Sequence, residues 1–233
     1  DENPGEKARA YRERMRPRAR RRAPGAGAGI QSLTELARQI DKVSLLEELL
    51  NHGCLQFGSF KLKSGAVSPH YLDLRRIISK PGLLSRVAAA YGRLLKDLRF
   101  DRLAAIPVAA VPIATAVSLQ RDLPLLYPRI VDKGHGNGNR IDGEFHPGER
   151  VVLLDDVISS AQSKLEAIDV LEAEGLVVTD LVVLVDRESG GRQEVENRGV
   201  RFHALARIAE LLALARARGL DSPAERRAAE ARR

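Results

Sequence analysis

At 233 residues with 44% apolar content, the chain can bury a sizeable core, as one large domain or one domain with extensions. A single cysteine, Cys54, excludes an intrachain disulfide framework, and no apolar run approaches the ~18 residues of a membrane span. A reducing, cytoplasmic setting is therefore expected, and the basic N-terminal stretch lacks the apolar region of a signal peptide. The net charge of +7 and pI near 9.8 invite a nucleic-acid reading, but the charge is unevenly placed. Residues 1–29 carry nine Lys/Arg against four Asp/Glu, and residues 216–233 carry six against three. The body, 30–215, holds 23 basic and 24 acidic residues, so the basicity is terminal and reads as solvated tails.

Taken in order, residues 1–15 form a short helix after Asn3-Pro4, and the Arg/Pro/Gly/Ala-rich stretch 16–29 is a linker. An amphipathic helix follows from Ser32 to Asn51, opened by a Ser32/Glu35 capping box and ended by Gly53. Residues 55–78 read as short extended segments with turns at Lys63-Ser64-Gly65 and Ser68-Pro69. A helix runs from Pro81 to about Leu98, a strand over Leu103–Ile106, a helix over Ile113–Gln120 and a strand over Pro124–Ile130. Asp132–Pro147 is Gly-rich and polar, a mobile loop. Val151–Leu154 is a buried strand too short for a helix, and a helical pattern opens near Lys164. Val177–Val185 and Val200–Leu205 are further strands, and Ile208–Arg218 closes the domain. Alternating strands and helices imply an α/β fold with a mainly parallel sheet covered on both faces.

The chemistry centres on Val151–Ser163. Asp155 and Asp156 follow the buried strand, and Ser159 to Ser163 open a helix. Ligands of open α/β sheets lie beyond the carboxyl ends of the strands, and helix N-termini present unpaired N–H groups to anions. Carboxylates beside such an anion cup suit a ligand with both hydroxyls and phosphate, such as a phosphorylated ribose. A solvated strand–helix turn is the alternative reading; a Walker A loop is excluded, since GxxxxGK[ST] is missing.

This segment resembles the signature of type I phosphoribosyltransferases, which bind phosphoribosyl pyrophosphate (PRPP). The resemblance implies that Asp155 and Asp156 contact ribose, that Ser159, Ser160, Ala161, Gln162 and Ser163 form the phosphate loop, and that Val157 and Ile158 also belong to the PRPP-binding segment. Ala161 stands where the family usually has Gly, so its Cβ is expected to crowd the phosphate or restrict the backbone.

Four further segments extend the likeness, in the family's order. Phe57–Gly65 with Ser68-Pro-His-Tyr-Leu-Asp-Leu-Arg75 alone reads as a β-hairpin with exposed lysines. As a whole it is similar to the FxLKSGxxSPxYxDLR region of orotate phosphoribosyltransferases, which implies orotate-site roles for Lys63, His70 and Tyr71. Ile106–Pro112 resembles the family's pyrophosphate loop, with Ala109 and Ala110 at its small-residue positions. Tyr127–Asn139 resembles the catalytic loop YxRKxxKxHGxG. It implies that Arg129, Lys133 and His135 meet PRPP, with Ile130 replacing the usual Lys and the loop reaching the partner's site in a homodimer. Asp186-Arg187 ends a strand, and the family likeness gives Arg187 to the orotate carboxylate or carbonyl; its other reading is a structural partner for Asp186.

The resemblance spans about residues 45–205. It implies a type I fold with a hood over 31–75 in a domain over 31–218, a basic extension over 1–30 and a charged tail over 219–233. Lys133, His135, Asp155 and Asp156 are the expected catalytic residues. The expected cofactor is Mg²⁺ carried by PRPP, without direct side-chain ligands. Other readings of the same chain are a different PRPP-dependent transferase, a non-catalytic regulator of the same fold, or a scaffold with a nucleic-acid-binding tail. Residues 1–15 resemble the last helix of some bacterial orotidine decarboxylases, and the first residue is not Met. Both suggest a fragment or processed product, with such a domain fused upstream.

Overall fold

The computed structural model describes residues 28–61, 67–129 and 140–221. The expected N-terminal helix and linker, the Lys63-Ser64-Gly65 turn and most of the charged tail lie outside them. The chain divides into two compact units, 1–39 and 40–233. Helix α1, Ala28–Asn51, crosses that boundary, so Ser32 lies inside the helix rather than at its start. No proline interrupts the residues before Ser32 that the helix adds, and propensity alone does not end it there.

Within the second unit, α1 buries Leu45, Leu46, Leu49 and Leu50. An antiparallel hairpin follows, β1 (Leu55–Lys61) with β2 (Val67–Leu72), and then a 3-10 turn over Leu74–Ser79. Ser68-Pro69, expected as a turn, lies within β2. Strand register shifts between Phe57 and Phe60, so Pro69 sits opposite a bulge in a two-stranded sheet, where its missing N–H costs no ladder bond.

The main sheet has the order β5-β4-β3-β6-β7-β8. Its strands are β3 (Arg102–Ala105), β4 (Leu125–Pro128), β5 (Ile141–Asp142), β6 (Arg150–Ile158), β7 (Val177–Asp186) and β8 (Arg201–Arg207). All pairings are parallel except β4–β5. Helices α2 (Pro81–Leu95), α3 (Ala110–Arg121), α4 (Gln162–Ala173), α5 (Gly191–Asn197) and α6 (Ile208–Ala217) complete the unit. The continuous apolar runs of β6 and β7 are buried on both faces, as parallel strands between helical layers must be. Side chains alternate between two cores. Val152 and Leu154 join the cluster of α1, α2 and α3, whereas Val151 and Leu153 join that of α4.

Several boundaries differ from expectation. Helix α2 stops at Leu95 rather than Leu98, α3 starts at Ala110 with Pro112 in its first turn, and α5 was not expected at all. Pro112 lacks an N–H that the first turn leaves unpaired anyway, so it reads as a breaker while being tolerated. The segment expected to be a mobile loop over 132–147 is in part structured: Ile141–Asp142 pairs with β4 and Ile141 is buried. Strand β6 does not stop before the acids but runs through them to Ile158, because β7 is long enough to keep pairing, Asp155 with Val183 and Ile158 with Asp186.

Candidate active site

Asp155 and Asp156 thus sit inside the central strand, near its carboxyl end. The strand's alternation sends Asp155 toward the α4 layer. There its Oδ2 lies 2.6 Å from Lys164 Nζ, with both side chains buried. Its Oδ1 accepts the Asp156 N–H at 2.9 Å, and its carbonyl accepts the Tyr91 hydroxyl, from α2, at 2.6 Å. Burial, followed by the negative charge of Asp155, pushes the Asp156 carboxyl up to about 7, while Lys164 and the Val157 N–H pull the other way.

Ser159–Ala161 connects β6 to α4, which begins at Gln162 rather than Lys164. Ser160 is exposed, and Ser159 and Ser163 are half-buried. Ala161 has φ −86°, ψ −5°, which any L-residue adopts, and its methyl is buried in the core with Ala167 and Ile168. The Cβ therefore neither strains the loop nor stands in the open cup. Behind the loop, the Gly191 N–H donates to the Ser159 carbonyl at 3.0 Å and the Arg187 N–H to that of Ile158 at 2.9 Å. A Cβ on Gly191 would lie 2.6 Å from Ser159 O and 2.8 Å from Ile158 Cγ1, so only glycine lets α5 start this close.

The Ile106–Pro112 turn leaves β3, which pairs in parallel with β6, so this loop and Ser159–Ala161 lie side by side at the carboxyl ends of the strands. Ala109 is half-buried, and Ala110 is buried within α3. At the end of β4, Arg129 Nε donates to Asp142 Oδ2 at 2.9 Å, and a second guanidinium contact reaches Oδ1. The pair is exposed and holds the Asp142 carboxyl below the usual range, chiefly through the hydrogen bond. Ile130, Lys133 and His135 lie outside the described residues, as does Lys63.

In the hairpin, strand alternation sends His70 and Tyr71 to opposite faces. Tyr71 stacks on Phe60 with centroids 5.4 Å apart, and its hydroxyl accepts from Arg75 at 3.2 Å. Arg75 also donates to Asp73 at 2.7 Å and lies within the electrostatic reach of Asp156. Burial, then the positive charges of Arg187 and Arg216, lower the His70 pKa and favour neutral imidazole. Arg187 thus lies within electrostatic reach of His70, and Asp186 accepts the Glu188 N–H at 2.7 Å.

Tyr91, Lys164 and Gly191 escaped the sequence reading. Lys164 had a signal: with Ala167, Ile168 and Leu171 it falls at helical spacing on an otherwise apolar face. Tyr91 carries no local mark beyond being an aromatic residue on the apolar face of α2, and Gly191 none beyond following Gly190.

The family described as "Phosphoribosyl transferase domain" matches residues 77–200. Among curated proteins, the chain is 41% identical over 167 residues to the bifunctional enzyme PyrF/PyrE of a Nostoc species, covering 72% of this chain and 35% of that one. It is 38% identical over 176 residues to the orotate phosphoribosyltransferase of Pyrococcus furiosus, covering 73% of this chain and 94% of that one. Among solved structures, UMP synthase of Leishmania donovani matches with TM-score 0.72 and 38% identity, over 85% of this chain and 45% of that one. Orotate phosphoribosyltransferase of Aeropyrum pernix matches with TM-score 0.64 and 29% identity, over 72% and 97%. The parallel sheet and the acid-and-loop cup at the carboxyl ends of its strands are those of a phosphoribosyltransferase. More narrowly, the chain belongs to the orotate phosphoribosyltransferase family. It spans about a third of the length of the bifunctional relatives and nearly all of the single-domain ones.

Proposed function

We propose that the chain transfers the phosphoribosyl group of PRPP to orotate, giving orotidine 5′-monophosphate and pyrophosphate in UMP biosynthesis. The observation that carries this reading is the acid pair of β6 running directly into a loop at the N-terminus of α4, with its neighbours at the same end of the strands. That arrangement offers carboxylates to ribose hydroxyls and loop N–H groups to the 5′-phosphate. The ring nitrogen of orotate, already deprotonated, forms the new bond to C1 of the ribose. The C1–O bond breaks, and its electron pair leaves with pyrophosphate.

Negative charge in the acid pair stabilises the ribosyl group as it gains cationic character. Lys133 and Arg129, with His135, neutralise the leaving pyrophosphate. To reach it, Arg129 exchanges its exposed Asp142 partner for phosphate, a low-cost exchange for a surface pair. Lys63 and Arg187 bind the anionic side of orotate, with neutral His70 bordering the ring; Tyr71, on the opposite face of the hairpin and stacked on Phe60, is not assigned to it. We take Mg²⁺ to arrive on the pyrophosphate of PRPP rather than on side-chain ligands. When bound there, Mg²⁺ supplies charge neutralisation to the leaving group.

We place the enzyme in the cytoplasm as a homodimer with shared active sites, and an orotidine decarboxylase domain upstream of Asp1. The bifunctional relatives support the fusion; an in-frame stop codon immediately before Asp1 would end it. The function itself is tested by following orotate absorbance with PRPP and Mg²⁺. Orotate consumption matched by pyrophosphate release is expected; PRPP binding without orotate-dependent pyrophosphate release would leave a regulator or another transferase.

A further inference from the structure

The apolar face of α4 begins with a lysine. Ala167, Ile168 and Leu171 on that face are fully buried, and Lys164 is only 6% exposed. A buried ammonium is costly unless it is paired and hydrogen-bonded. Lys164 is both, 2.6 Å from Asp155 Oδ2 and 3.3 Å from Ser163 Oγ. Asp155 is in turn held at every polar atom of its side chain and at its carbonyl, by Lys164, the Asp156 N–H and the Tyr91 hydroxyl. Among the described residues no cation forms an ion pair with Asp156.

We propose that Lys164 is a positioning residue that divides the acid pair into two jobs. Asp155 is an internal brace held by Lys164 and Tyr91, and Asp156 is the acid that meets the ribose of PRPP. This rests on the phosphoribosyl-transfer reading given above. Two physical reasons support the division. PRPP is strongly anionic, and two uncompensated carboxylates would repel it; one internal ammonium halves that charge without entering the cup. Lys164 also lies in the first turn of α4, so its bond to β6 ties the ribose-binding strand to the phosphate loop. The two ends of a phosphoribosyl group are then held in one fixed relation.

The test uses the full chain and four variants, Lys164→Met, Lys164→Arg, Asp156→Asn and the double variant Asp155→Asn/Lys164→Met, with folding followed by circular dichroism. Lys164→Met is expected to raise KM for PRPP and lower kcat, each by about tenfold or more, the scale of a misplaced site. KM for orotate should stay within about twofold, a split that simple loss of folded protein would not produce. Lys164→Arg should recover most of the loss. The double variant leaves neither charge alone in the core, so it should fold and exceed Lys164→Met even where the latter misfolds. Asp156→Asn should stay at least about 10²-fold down. The proposal is overturned if Lys164→Met keeps wild-type PRPP constants while the wild type is active. It is overturned equally if the double variant is no better than Asp156→Asn, because Asp155 would then be touching ribose itself. A wild-type chain that neither binds PRPP by calorimetry nor consumes orotate overturns the functional reading, and this proposal with it.

Discussion

Asp156→Asn should make the protein more stable and nearly inactive, and the size of the gain follows from where the carboxyl sits. Burial and the neighbouring Asp155 charge raise its folded pKa to about 7, against 3.8 for a free Asp. A raised carboxyl holds its proton more tightly in the folded than in the unfolded chain. It therefore costs the fold nothing below about pH 4, costs progressively more between about 4 and 7, and costs a constant amount above 7. At ~1.4 kcal/mol per tenfold change in proton affinity, the full penalty is on the order of 4 kcal/mol. Relaxation of the partly hydrated cup reduces this, so a gain of about 2–4 kcal/mol is expected for the uncharged amide above pH 7. For a domain of this size that raises Tm by roughly 5–10 °C. Thermal melts without ligand at pH 8 and pH 4.5 measure it, with turnover assayed on the same samples. The gain should be present at pH 8 and nearly vanish at pH 4.5, while kcat falls at least ~10²-fold. Equal Tm for variant and wild type at pH 8, or the same gain at both pH values, would refute the reasoning.

Three other outcomes are expected. Lys133→Ala should slow the forward reaction by at least ~10²-fold, and near-wild-type turnover would remove this residue from the leaving-group site. Arg187→Ala should raise KM for orotate by about tenfold or more while changing PRPP affinity little, as isothermal titration with each substrate would show. In Gly191→Ala the new methyl meets the Ser159 carbonyl and Ile158, neither of which can give way without moving the phosphate loop. A loss of about 1–3 kcal/mol in denaturant unfolding is expected, together with weaker PRPP binding; an unchanged PRPP affinity would show that the loop does not depend on α5.

Most of the sheet was legible because its strands announce themselves chemically. Val151–Leu154 and Leu181–Val185 are apolar without alternation, which only strands buried on both faces tolerate. The acids after the first of these, and the serines after them, are what suggest a phosphorylated sugar as the ligand. Where each strand ended was not local information: β6 continues through Asp155 and Asp156 because β7 is there to pair with it. Helix α5 is seven residues long and owes its position to the fit of Gly191 on the Ser159 carbonyl, a contact across 32 positions of sequence.

The sequence by itself determined the α/β class, the apolar strands and the residue types that a phosphoribosyl site requires, because strand burial and anion binding depend on nearby residues. Only tertiary structure decided which partners those residues have. Ala161 and the Gly191 approach both turn on which way a Cβ points, which residue type alone does not specify. Whether Asp155 faces a substrate or a buried lysine depends on the packing of α4 against β6, and the packing gives it Lys164. The same packing sets the proton affinity of Asp156, since desolvation is a property of the surroundings and not of the residue.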